Sequence, residues 1–148
     1  MSAAGDRSVA GPGPPDLALR ARAGYRLVAW LFAACVLVQV FLVGMELFEA
    51  TADESLHRNF AYVYGWLLPV LLLLAKLGRM STGLFAGTVL LLVLYAVQTI
   101  LPALSKAVPV LGPLHAINAL ALFGLGVFLA QRAARSSAAA DQAPGSAG

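Results

Sequence analysis

Four long stretches of this chain contain almost no charge, and each is long enough to cross a lipid bilayer. They are residues 27–45, 57–75, 81–105 and 107–131. About 20 apolar residues in a helix cover the hydrocarbon core. Only Arg58, at the edge of the second stretch, interrupts them. In lipid every backbone N–H and C=O must be satisfied internally, which leaves helices or closed barrels. The short alternating segments of a barrel are missing. The sequence therefore predicts an all-α integral membrane protein, a four-transmembrane-helix up-down bundle. Composition agrees, with 60% hydrophobic and 11% charged residues in 148, against roughly 25% charged in soluble domains.

The placement of the basic residues predicts orientation. Arg7, Arg20, Arg22 and Arg26 precede the first helix, Lys76 and Arg79 lie between the second and third, and Arg132 and Arg135 follow the fourth. Only Arg58 and Lys106 fall on the other side. Basic residues mark the cytoplasmic face, so both termini are expected inside. The formal net charge of +3 reflects this topology, and no nucleic-acid partner is implied. The partners expected are the lipid bilayer, and a membrane redox partner or a second copy of the chain.

The expected organisation is a disordered cytoplasmic tail over 1–23, a transmembrane domain over 24–132 and a second tail over 133–148. The helices are expected at about 25–48, 56–76, 82–102 and 110–132. Pro69 is expected to kink the second helix, Pro102 to end the third, and Pro109 or Pro113 to occupy the first turn of the fourth. The first connection, with Glu46, Glu49, Asp53 and Glu54, is acidic and outside. Cys35 stands alone and reads as a small buried hydrophobe. Gly83, Gly87, Gly124 and Gly126 offer small surfaces for close helix contact.

A weak internal repeat carries the polar residues. "VQVFL" at 38–42 matches "VQTIL" at 97–101, and "LHRN" at 56–59 matches "LHAIN" at 114–118. The copies share one membrane orientation, as in a parallel duplication. His57 and His115 then start the second and fourth helices at the outer face. Gln39 and Gln98 lie in the outer halves of the first and third. Asn118 falls one turn below His115 on the same face. Polar groups unpaired in lipid cost several kcal/mol each, so all four helices are expected to turn them inward at one level.

Two imidazoles on diagonal helices at one depth suit the axial positions of a haem iron. Arg58 would pair with a propionate, and Gln39 or Gln98 would hold each ring in place. The same residues also suit a purely structural hydrogen-bonded layer, another metal, or a quinone. Tyr62, Tyr64 and Trp66 read equally as an interfacial aromatic belt. No nucleophile–base pair, phosphate loop or catalytic carboxylate pair appears, so independent catalysis is not expected.

"ESLHR" at 54–58 resembles the Glu-x-x-His-Arg motif of haem A synthases. That resemblance implies His57 and His115 as haem ligands, with Glu54 the acidic member. It covers one four-helix half of that fold, without the further histidine pair and the outer-loop cysteine pair, and so implies haem binding more than haem A synthesis. Over its whole layout, "VQVFLVG", "LHR", "VQTILPAL" and "LHAIN", the chain resembles small uncharacterised actinobacterial four-span proteins, the domain of unknown function 6220 family. The function expected is a module binding one b-type haem between helices two and four near the outer face, for redox or haem handling. The alternative is a non-catalytic scaffold or partner subunit.

Overall fold

The computed structural model describes residues 14–48 and 55–141, with side chains over 17–48 and 55–135. Five helices follow in order: α1 Pro14–Leu47, α2 Ser55–Gly65, α3 Leu67–Leu77, α4 Thr82–Ser105 and α5 Leu111–Asp141. α2 and α3 together form one span, so four spans are long and apolar enough to cross a membrane. The described residues contain no strand.

Helix packing gives a four-cornered bundle. α1 packs against α5 and α3, α4 packs against α5 and α3, and α2 lies chiefly along α1. The second and fourth spans are therefore diagonal, as are the first and third. The core repeats at helical spacing, with Tyr25, Ala29, Phe32 and Val36 of α1 meeting Leu68, Leu71 and Ala75 of α3. Leu84 and Leu91 of α4 and Leu122, Leu129 and Ala133 of α5 close it. Outside this core the surface stays apolar: Leu27 is 71% exposed and Leu120 68%. Helices apolar all round suit a lipid solvent, where exposed leucine costs nothing.

The helix ends depart from expectation. α1 begins at Pro14, so residues 14–23, expected to be part of a disordered tail, are helical. Prolines 14 and 15 open the helix, where a missing N–H costs nothing. α5 likewise continues to Asp141, beyond the expected end at residue 132. Arg22 ties the longer α1 to the inner turn, its Nε donating to the Gly78 carbonyl at 2.8 Å. Residues 1–13 and 142–148 of the expected tails lie outside the described residues, as do Glu49, Asp53 and Glu54 of the first connection.

Of the two mid-span prolines, Pro69 interrupts its span as expected and Pro102 does not. The second span breaks at Trp66, three residues before Pro69. Pro69 has no N–H for the carbonyl four residues back, that of Gly65, and the helix parts there. Pro102 does not end α4, which continues to Ser105. The carbonyl it strands is that of Gln98.

The turn between α3 and α4 is a Schellman-type cap. The Arg79 N–H donates to the Lys76 carbonyl (3.1 Å) and the Met80 N–H to the Ala75 carbonyl (3.1 Å). Arg79, at φ 48°, takes the left-handed position where glycine is usual. Gly78, one residue earlier, is needed for space, because a Cβ there would lie 2.9 Å from the Leu74 carbonyl oxygen. Ser81 then caps α4, its hydroxyl accepting from the Leu84 N–H at 3.4 Å.

Candidate functional site: a polar layer at the outer end

The end of the bundle away from the α3–α4 turn brings its polar residues together. The rings of His57 on α2 and His115 on α5 face each other across the diagonal, centroids 6.2 Å apart and planes at 68°. The sequence reading placed them at one level, and they meet there. Both residues are half-buried.

Gln98 and Asn118 complete one side of the layer. Asn118 Nδ2 donates to Gln98 Oε1 at 2.7 Å and to the Leu94 carbonyl at 2.9 Å. Gln98 Nε2 lies 3.1 Å from His115 Nε2, and His115 Nδ1 lies 3.1 Å from the Gln98 backbone oxygen. These contacts assign the proton. A carbonyl only accepts, so Nδ1 carries the hydrogen and Nε2 accepts from the Gln98 amide.

Pro102 explains why that carbonyl is free. In a regular helix the Gln98 oxygen would take the N–H of residue 102. Proline has none, and the His115 ring supplies the missing donor. The sequence reading took Pro102 as a stop and missed this role. Counting four residues back from the proline reaches Gln98, so the signal was present.

The other side of the layer is left open. Among the described residues, three buried side-chain atoms have no hydrogen-bond partner: Gln39 Oε1, Glu46 Oε1 and His57 Nδ1. Gln39 and Glu46 lie on α1 and His57 on α2. Most buried polar atoms are paired, so each such exception calls for an explanation. Register places two of them level. Phe32 of α1 meets Tyr64 of α2 with centroids 5.5 Å apart. Seven residues outward along each helix, two turns, bring Gln39 level with His57 on the same faces. The repeat is therefore asymmetric: Gln98 and His115 are joined by two hydrogen bonds, whereas Gln39 and His57 share none. At the position of Pro102 the first copy has Val43.

An aromatic cluster lies beneath the layer. Tyr64 is edge-on to Phe32 and to Tyr95, with centroids 5.5 and 5.6 Å apart, and Phe60 lies 5.5 Å away. Tyr95 donates to the Ala61 carbonyl at 2.6 Å. A Cβ on Gly65 would collide with the Tyr95 hydroxyl. Gly65 thus makes room for Tyr95, whereas the sequence reading assigned its space to a macrocycle. Of the expected aromatic belt, Tyr62 and Trp66 are exposed at 60% and 74%, while Tyr64 is core. Arg58 is exposed beside His57, on the outward side of α2.

The half of the bundle nearer the α3–α4 turn holds a second diagonal contact, which sequence reasoning missed. Thr88 donates to the Leu84 carbonyl at 2.9 Å, and the buried Tyr25 hydroxyl meets Thr88 Oγ1 at 2.7 Å. With the Thr88 proton already engaged, Tyr25 donates. Thr88 stood in an apolar run with no periodic signal to mark it. The small-residue contacts are mixed. A Cβ on Gly87 would reach within 2.7 Å of Leu129 and one on Gly126 within 3.3 Å of Phe32, but Gly124 faces open space. Gly124 is therefore not a helix contact, contrary to the sequence expectation. Cys35 is half-buried and packs against the core.

Residues 39–105 match the model of a family of unknown function, DUF6220. This segment, less than half of the chain, is similar to that family. It carries Gln39, His57, Arg58 and Gln98 of the layer, and ends before His115 and Asn118. No curated protein and no solved structure matches the chain.

Proposed function

We propose that the outer layer binds one b-type haem, with His57 and His115 as axial ligands, and that the protein serves a membrane redox or haem-handling assembly. The observation that carries this reading is the spacing of the two rings. A metal held by one nitrogen of each ring at about 2 Å would need the two centroids about 6 Å apart. The observed separation is 6.2 Å. The donor set supports the same reading. Among the described residues no group of three or more His, Cys, Asp or Glu could hold a bare metal ion. Two imidazoles suffice only where a macrocycle supplies the remaining ligands.

The residues around the rings suit this use. The Nδ1–H bond from His115 to a backbone carbonyl is the common way to fix a metal-binding imidazole, leaving Nε2 for the metal. The Gln98 amide now on Nε2 would turn aside, while Asn118 offers it a partner. Arg58 at the outer rim would meet a propionate. A bound haem would supply one-electron chemistry, and the chain's own residues would orient it and keep water from one side. The layer lies at one end of the bundle, so passage of electrons across the bilayer would need a partner protein. By the basic residues at the opposite end, that outer end would face away from the cytoplasm of a bacterial plasma membrane, with both termini inside.

One observation favours a second reading. Both ring nitrogens of His115 are already hydrogen-bonded to Gln98, as in a structural layer that fixes helix register in a scaffold or partner subunit. An absorption spectrum separates the two. The protein, purified in mild detergent with haem supplied, is expected to show a Soret band that the double variant His57→Ala/His115→Ala lacks. A colourless, monodisperse wild type would refute the haem reading and leave the structural one.

A further inference from the structure

We infer that the two axial histidines are unequal: His115 is the anchoring ligand and His57 the exchangeable one, so that a small neutral ligand enters beside His57 and Gln39. This rests on the haem reading and adds to it a second binding position, for a diatomic π-acceptor of the carbon monoxide class.

The inequality is built from the backbone upward. His115 stands on α5, a 31-residue helix packed against both α1 and α4. Its Nδ1–H is held by the Gln98 carbonyl at 3.1 Å. That carbonyl is available because Pro102 withholds the N–H that would otherwise occupy it. The ring direction is therefore set from outside the metal, and Nε2 keeps the lone pair.

His57 has none of this support. It stands on α2, an 11-residue helix separated from α3 by the break at Trp66 and packed chiefly along α1. Its Nδ1 is buried without a partner. The residue level with it in the repeat, Gln39, is 8% exposed, and its Oε1 is also unpartnered. The first copy cannot repeat the anchor of the second, because Val43 stands where Pro102 stands and its N–H is there for the Gln39 carbonyl. A ring without a second hydrogen bond turns about its side-chain torsions at little cost. The Gln39 amide beside it has both a donor and an acceptor to offer an incoming molecule.

The exchange is a substitution without redox change. His57 Nε2 would let go of the metal and keep its own electron pair, and the entering ligand would supply a pair in its place.

Carbon monoxide tests this on the full chain in mild detergent, loaded with haem and reduced with dithionite. The wild type is expected to bind carbon monoxide with a shifted Soret band. His57→Ala is expected to keep the haem and bind carbon monoxide at least tenfold tighter, while His115→Ala loses most of the Soret band. Pro102→Ala returns an N–H to the Gln98 carbonyl and loosens His115 without touching any ligand. It is expected to shift the Soret maximum and change carbon monoxide affinity severalfold, and it decides the matter if His115→Ala aggregates. A haem-loaded wild type that ignores carbon monoxide, equal haem loss from the two single histidine variants, or a Pro102→Ala protein identical to wild type in both readouts would overturn the inequality and leave the cofactor standing. A wild type without any Soret band would remove both.

Discussion

Thr88→Val isolates the contact that locks the inner half of the bundle beneath the polar layer. Valine keeps the volume and shape of threonine but removes the oxygen that the Tyr25 hydroxyl meets at 2.7 Å. Tyr25 is 0% exposed, so the stranded hydroxyl has no water to turn to. An unpaired buried donor costs about 1–3 kcal/mol. Interhelical hydrogen bonds in membranes average about 0.6 and reach about 1.7 kcal/mol, because the unfolded chain also finds partners there. Full burial puts this pair toward the upper end, so a loss of about 1–2 kcal/mol is expected. Tyr25→Phe should cost less, about 0.5–1 kcal/mol, because Thr88 keeps its bond to the Leu84 carbonyl. The double variant orphans neither partner and should fall below the sum of the singles by at least about 0.5 kcal/mol. Unfolding in mixed detergent–SDS micelles, followed by circular dichroism, measures all four corners of this cycle. A Thr88→Val protein within about 0.3 kcal/mol of wild type, or strictly additive singles, would show that the contact does not join α1 to α4.

Further substitutions probe the neighbouring geometry by the same assay. Gly65→Ala should destabilise by about 1–3 kcal/mol and, by displacing the Tyr95 ring, raise the fluorescence polarity of the nearby Trp66; an unchanged stability would mean that Tyr95 does not fill that space. Gly87→Ala and Gly124→Ala should differ in sign. The first pushes against Leu129, while the second meets open space and should gain up to about 1 kcal/mol from helix propensity; two equal effects would contradict the packing of α4 on α5. Arg79→Gly relieves a left-handed residue at φ 48° and should stabilise by about 1 kcal/mol, a gain that Arg79→Ala should not reproduce.

Much of the architecture was legible before any coordinates, because lipid imposes so few solutions. Runs of apolar residues of bilayer length become helices wherever backbone groups have no water, and short connections make neighbours antiparallel. The same reasoning turned Gln39, His57, Gln98, His115 and Asn118 toward one level. Helix ends outside the apolar runs were not legible: residues 14–23 are rich in alanine, arginine and leucine, and their helix continues a packed one. Nor was the use of each proline, since a missing N–H says only that a carbonyl is free and not what will take it.

The linear chain thus determined how many helices are long and apolar enough to cross a membrane and which side chains would have to avoid lipid there, since both follow from the cost of burying polar groups in hydrocarbon. Only tertiary packing decided their partners. It closed His115 onto the Gln98 carbonyl, left His57 Nδ1 and Gln39 Oε1 without partners, and joined Tyr25 to Thr88 across the diagonal. The repeat looks symmetric as text. A proline in one copy and a valine in the other make it unequal in space, because a hydrogen bond depends on which carbonyl is free and which helix lies within reach.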